Sequence, residues 1–152
     1  MTALKQAIKE KVRQLGFVLA GVTSSEPPQQ YNIFENWLNQ NKHGSMQYLA
    51  EERSRIRRAD PKQILPECKS ILVLALPYAK CKMQNSEFQI AAYALGDDYH
   101  DIIPNRLKQI VEFIEEQVGH PIPNRYYTDT GPMLEREFAQ RAGLGWIGKN
   151  SM

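Results

Sequence analysis

Residues 126–150 read Tyr-Tyr-Thr-Asp-Thr-Gly-Pro-Met-Leu-Glu-Arg-Glu-Phe-Ala-Gln-Arg-Ala-Gly-Leu-Gly-Trp-Ile-Gly-Lys-Asn, and this stretch limits the fold more than any other. It is an aromatic run, an acid, a helix and a glycine-rich exit, in that order. Pro132 suits a first helical position, where its missing N–H would be unpaired anyway. Leu134, Phe138 and Ala142 then recur at the spacing of one helical face. Gly143 fits the left-handed residue that ends a helix, and Leu144 can fold back on the last turn. Gly145 and Gly148 let the backbone approach something bulky, with Lys149 and Asn150 directly after.

The rest of the chain supplies enough apolar surface for a core. At 152 residues, 42% hydrophobic and 24% charged, it has the composition of one soluble domain. A formal charge of +2 is too small to argue for nucleic acid by itself. The sequence has no apolar run of membrane-spanning length and no signal-peptide core, so no membrane is expected. Cys68 and Cys81 lie thirteen apart without a Cys-x-x-Cys unit. They read as free thiols of a reducing cytoplasm, giving neither a disulfide framework nor a metal site.

Leu4, Ile8, Val12 and Leu15 form a first helical stripe that Gly16 closes. Residues 17–22 read as a buried strand, and 23–28 as a loop fixed by two prolines. Tyr31, Phe34, Trp37 and Leu38 mark a second helix, ending near Asn41; 43–49 opens on a break and suits a short helix. Residues 70–76 are the clearest central strand, and 88–95 a second apolar one. Ile103, Leu107, Ile110, Ile114 and Val118 trace the longest helix, with Pro104 in its first turn and Gly119 at its end. Residues 124–128 form a short strand that delivers Asp129. Strands and helices mix without strict alternation, which predicts an α+β fold with a mixed or antiparallel sheet flanked by helices.

Four groups can carry chemistry. Asp129, by position alone, is a helix N-cap satisfying free N–H groups at the positive dipole end. Its sharper role is a proton donor, its pKa raised by an apolar wall from Tyr126, Tyr127, Phe138 or Trp146. Asp98-Tyr99-His100 reads as a surface or capping group; with no second histidine four residues on, zinc is not implied. Four arginines within residues 53–58 form either a solvated face or a clamp for phosphates and amide oxygens. Gly148-Lys149-Asn150 is not a phosphate loop, because Asn stands where Ser or Thr would bind magnesium.

Set together, four ordered segments resemble the signature of the epoxyqueuosine reductase family: His43-Gly-Ser-Met-Gln-Tyr-Leu49, Arg58-Ala-Asp-Pro61 through Tyr78, Tyr93-Ala-Leu-Gly-Asp-Asp-Tyr-His100, and residues 129–150. The resemblance implies a cobalamin-binding domain over 1–152 on a scaffold similar to the nitroreductase-like, cobalamin-processing fold. It implies reduction of epoxyqueuosine at the tRNA wobble position, with Asp129 as the proton donor carrying an unusually raised pKa. It places Arg58, Ala91, Tyr99, His100, Asp129, Lys149 and Asn150 around the corrin, and Arg136 towards the tRNA. A cytoplasmic monomer is implied. Ser45 departs from an acid common in the family, and Asp97 from an expected basic residue.

The resemblance also implies iron–sulfur clusters that recharge the cobalamin, yet these need a run of thiolates that Cys68 and Cys81 do not supply. The sequence is therefore expected to be an N-terminal piece, missing ferredoxin-like and helical-repeat partners and lacking turnover alone. A corrinoid carrier without catalysis, or a tRNA- or protein-binding module built on the arginine cluster, are the competing expectations.

Overall fold

A computed structural model describes residues 2–78, 91–94 and 96–149. Its elements in chain order are α1 (Thr2–Gln14), β1 (Leu19–Ser24), α2 (Tyr31–Asn39), α3 (Glu52–Ala59), β2 (Ser70–Ala75), α4 (Tyr99–Val118) and α5 (Glu135–Arg141), with short 3₁₀ turns at Gln47–Leu49, Pro61–Gln63 and Ala92–Ala94. This is an α+β fold. β1 and β2 pair with each other, and the Val18 N–H donates to the Ala75 carbonyl at 2.9 Å. That bond sets the start of one strand against the end of the other, so the pair is antiparallel. Contacts cluster into two compact units, one of residues 1–19, 75–122 and 126–128, the other of 20–74, 123–125 and 129–152.

In the first unit α1 packs on α4, burying Val12, Phe17 and Ile110. Gly16, at φ 86°, turns the chain out of α1, and Arg106 donates to the Leu15 carbonyl at 3.0 Å just beyond the helix. The charged end of Lys11 lies over the Phe113 ring, 5.7 Å from its centre, a cation–π contact between the two helices. The longest helix starts earlier than its apolar stripe suggests. Asp98 is the cap, its carboxylate accepting from the His100 N–H at 2.8 Å, so Pro104 lies beyond the first turn. Gly119 ends the helix in the left-handed conformation, as its position predicts.

In the second unit α5 ties the irregular loops together. Phe138 is buried at its centre. The buried Glu137 carboxylate accepts the backbone N–H groups of Gln29 and Gln30, the latter at 3.1 Å, and so caps α2 in place of the side-chain cap that α2 lacks. Arg141 donates to the carbonyls of Ser24, Glu26 and Pro27 at 3.0–3.3 Å and to the Ser24 hydroxyl at 2.8 Å. Leu144 N–H returns to the Ala139 carbonyl and Gly143 N–H to Gln140, with Gly143 at φ 76°, which is the helix exit expected from Gly143-Leu144. A Cβ on Gly21 would lie 2.3 Å from the Ala142 carbonyl oxygen, so β1 crosses the end of α5 at backbone distance.

Further expectations change. The first strand is Leu19–Ser24 rather than 17–22, and its Leu19 and Val22 are exposed rather than buried. Residues 124–128 form no strand, because nothing among the described residues pairs with them in a ladder. Of the predicted strand 88–95, residues 92–94 turn in a 3₁₀ helix, and 88–90 lie outside the described residues. The last helix begins at Glu135 rather than Pro132, with Leu134 as its cap position, since Gly131 and Pro132 sit in a turn where the Met133 N–H donates back to Gly131. Removing the acceptor that caps α2 leaves two backbone N–H groups without it. Glu137→Ala is expected to lower the unfolding free energy by about 2–4 kcal/mol, and Glu137→Gln by less, in urea denaturation followed by circular dichroism. Equal stability of all three proteins would remove the cap from the account.

Candidate functional site

Helical spacing builds one wall of a cavity in the second unit. Ile33, Phe34 and Trp37 face it from α2, at i, i+1 and i+4. From α3, Arg53, Ser54, Arg57 and Arg58 repeat the same interval. The opposite wall is the turn 129–134 with Glu135, Arg136 and Glu137 of α5, and Ile147 of the glycine-rich exit also reaches the cavity. The volume is about 1040 Å³, large for a single metabolite and suited to a bulky ligand. Charges of both signs line it: Glu51 beside the arginines of α3, and Arg136 between Glu135 and Glu137 of α5.

The arginine side is fixed from both ends. Arg58 lies over the Phe34 ring at 5.6 Å, and its guanidinium donates to the Ser54 hydroxyl. Burial lowers its pKa from the ordinary arginine value, so proton-rich but poorly hydrated donors face the cavity. Behind it, Arg55 Nε donates to Glu35 Oε1 at 2.9 Å, and a second Arg55 nitrogen pairs with the other Glu35 oxygen. The Tyr31 hydroxyl donates to the same carboxylate. The hydrogen bonds from Arg55, first, hold Glu35 below the usual glutamate range. This pair joins α2 to α3, and it keeps the arginine-bearing helix in register with the aromatic one.

On the acidic side, Asp129 is exposed and sits at φ 62°. This left-handed conformation is rare for residues with a side chain, although Asp tolerates it better than most. Its N–H donates to Glu135 Oε1 at 3.1 Å. It does not cap α5, because the helix starts six residues later. The apolar wall expected from Tyr126, Tyr127, Phe138 or Trp146 is not the one present: none of the four lines the cavity, and Trp146 is 84% exposed. Phe34, Trp37, Met133, Leu134 and Ile147 line it instead. The acid with a raised pKa is Glu135. It is exposed by surface area, yet the atoms around its carboxyl displace water, and this loss of solvation is the largest cause; the Asp129 charge adds to it and the Asp129 N–H opposes it.

Of the residues singled out from the sequence, Arg58, Asp129 and Arg136 meet in this cavity. Lys149 is exposed and does not line it, and Asn150 lies outside the described residues. Ala91, Tyr99 and His100 belong to the first unit. There Ala91 is exposed, and Tyr99 joins Tyr93 edge-on at 6.4 Å and His100 at 4.1 Å. His100 Nδ1 pairs with Asp98 at 2.7 Å. Among the described residues no three His, Cys, Asp or Glu side chains converge on a metal position, and Cys68 is a free thiol. No helix among them is long and apolar enough to cross a membrane.

Residues 58–130 match the family model described as epoxyqueuosine reductase QueG, DUF1730. Over 97% of the chain the sequence is 35% identical to the epoxyqueuosine reductase of Cyclobacterium marinum, and over its whole length 32% identical to that of Escherichia coli. The chain belongs to the epoxyqueuosine reductase family. It spans about half the length of the curated epoxyqueuosine reductases it matches, 48% of the Cyclobacterium protein and 41% of the Escherichia one. A solved epoxyqueuosine reductase bound to an epoxyqueuosine-modified tRNA-Tyr stem loop superposes with a TM-score of 0.79 at 27% identity, covering 98% of this chain and 40% of that one. The Bacillus subtilis epoxyqueuosine reductase, solved with a catalytic aspartate loop swung out of its active site, gives 0.72 at 25% identity over 98% of this chain and 40% of that one.

Glu135 and Glu137 escaped the sequence reading. Position 137 falls on the apolar stripe of Leu134, Phe138 and Ala142, and an acid there was the available signal of a buried polar role. The raised Glu135 has a definite pH signature. A carboxyl with a higher pKa folded than unfolded binds its proton more tightly in the fold. Its relative stabilisation is therefore full at low pH and lost as pH rises from the ordinary value of 4.5 through the folded value. Glu135→Gln keeps an acceptor oxygen for the Asp129 N–H and removes the titration. Chemical denaturation across that window is expected to show wild type losing stability with pH relative to Glu135→Gln. A constant difference between the two would contradict it.

Proposed function

We propose that this chain is the cobalamin-binding, acid-supplying portion of an epoxyqueuosine reductase acting on tRNA. The observation that carries the proposal is the meeting of Asp129, Arg58 and Arg136 in one cavity of about 1040 Å³. The catalytic aspartate loop of the Bacillus subtilis relative and the tRNA stem loop bound by another relative support the same reading.

The residues fit a macrocycle that brings its own metal. The cavity combines apolar and aromatic surface with guanidinium donors, which suits a ring with amide side chains, and no metal-ligand cluster is needed from the described protein atoms. Cobalamin, when bound, supplies the electrons at its cobalt. Reduction of the epoxide to the alkene takes two electrons and two protons, and the oxygen leaves as water. The oxygen must be protonated as its bonds to carbon break, and a positioned carboxylic acid does this in the transition state. Asp129 is assigned that proton. Phe34, Trp37 and Leu134 supply apolar surface for the ring, and Arg58 would hold its amide side chains.

Ala91, Tyr99, His100, Lys149 and Asn150 are assigned to the cofactor on family resemblance, and Arg136 to the RNA. Residues 1–152 act as one cobalamin-binding domain of a cytoplasmic monomer. Iron–sulfur ligands are absent from the described residues, so electron delivery is assigned to the further length that the relatives possess.

Visible absorbance titration of the chain with cobalamin is expected to show saturable binding that Arg58→Ala weakens. In a protein of the relatives' full length carrying this sequence, Asp129→Asn is expected to slow deoxygenation by roughly 10²–10⁴-fold with cobalamin binding retained. Near wild-type turnover by that variant would leave Asp129 without a role in proton transfer. A folded chain that binds no cobalamin would favour an interaction module instead.

A further inference from the structure

Among the described residues, Asn41 and Asp129 are the non-glycine positions with positive φ, and of these Asp129 lines the cavity. A side chain in that conformation persists only where its surroundings enforce it. One such contact is local. Glu135 Oε1 accepts the Asp129 N–H at 3.1 Å, closing a loop over the five residues between the acid and the first residue of α5. The Met133 N–H to Gly131 carbonyl bond at 2.9 Å tightens the middle of that loop without reaching Asp129.

We infer that Glu135 is a positioning residue, whose carboxyl latches the 129–134 turn and fixes the direction in which the Asp129 side chain meets the cavity. The latch is mounted on a helix held at several points. Two residues along, Glu137 is bonded to the backbone of Gln29 and Gln30; beyond it Phe138 is buried, and Arg141 grips the carbonyls of 24–27. A carboxylate acceptor makes a stronger bond to a backbone N–H than a neutral one, which suits a contact opposing backbone strain. Asp129 and Glu135 are exposed while Gly131 within the turn is buried, so the hydrogen bond holds the Asp129 end of a turn whose middle is packed.

The catalytic consequence rests on the reading of Asp129 as proton donor, but the latch itself does not. It is tested by amide hydrogen exchange at Asp129, followed by NMR in the 152-residue chain. Glu135→Ala is expected to speed exchange of the Asp129 N–H roughly ten- to a hundredfold, as the loss of a hydrogen bond to a charged acceptor predicts. Glu135→Gln, which retains an acceptor oxygen, is expected to restore most of the protection. The Ala142 and Leu144 amides should be unchanged in both, showing that α5 is intact. Unaltered Asp129 exchange in Glu135→Ala, or equal loss in Ala and Gln, would overturn the latch. Should Glu135→Ala not fold, the Asp129 amide shift decides: it is expected to follow one more titration in wild type than in Glu135→Gln, and identical curves would overturn the proposal. Asp129→Asn turnover in the full-length context fails or succeeds separately from these results.

Discussion

A single buried carboxylate holds the second unit in place. Glu137 is 5% exposed, and its two oxygens receive the backbone N–H groups that open α2. Burying a charge is costly unless it is fully hydrogen-bonded, and here the charge and the unsatisfied helix end answer each other. The consequence spreads along α5. With α2 docked at one point and the 24–27 loop held by Arg141 at another, loops that carry no ladder of their own gain fixed positions. The aromatic wall of α2 and, through Glu35 and Arg55, the arginines of α3 are then set relative to the same helix.

The resulting cavity is lined by charges of both signs. α3 contributes guanidinium donors, among them Arg58 with its pKa lowered by burial, and Glu51 adjoins them. The 129–137 segment contributes acceptors of unequal character, one committed to backbone, one raised by loss of water, and one presented on a strained turn. Arg136, between Glu135 and Glu137, adds a guanidinium to this acidic segment, so a ligand there meets donors and acceptors together.

The sequence made periodic and cap-determined features legible and concealed those set by long-range contacts. Gly16, Gly119 and Gly143 end their helices as expected, because a left-handed exit is a local requirement that glycine meets most easily. The pairing of residues 70–75 follows from an unbroken β-branched and leucine run. Residues 92–94 and 124–128 have apolar or aromatic character without the partner strand that would make them strands, and alternation alone does not reveal a missing partner. Asp129 and Arg58 were legible through family resemblance. Glu135 was not, because its effect depends on a turn whose φ at Asp129 no spacing rule foretells.

The crossing of Gly21 over Ala142 carries a mechanical meaning. Where two elements meet through side chains, small displacements are absorbed by rotamers. Here a strand passes the end of a helix at backbone distance: a Cβ on Gly21 would lie 2.3 Å from the Ala142 oxygen, 2.9 Å from the Ala142 methyl and 3.0 Å from a Leu144 methyl. Backbone has fewer ways to give than a side chain, so any side chain at position 21 would have to displace the end of α5 itself.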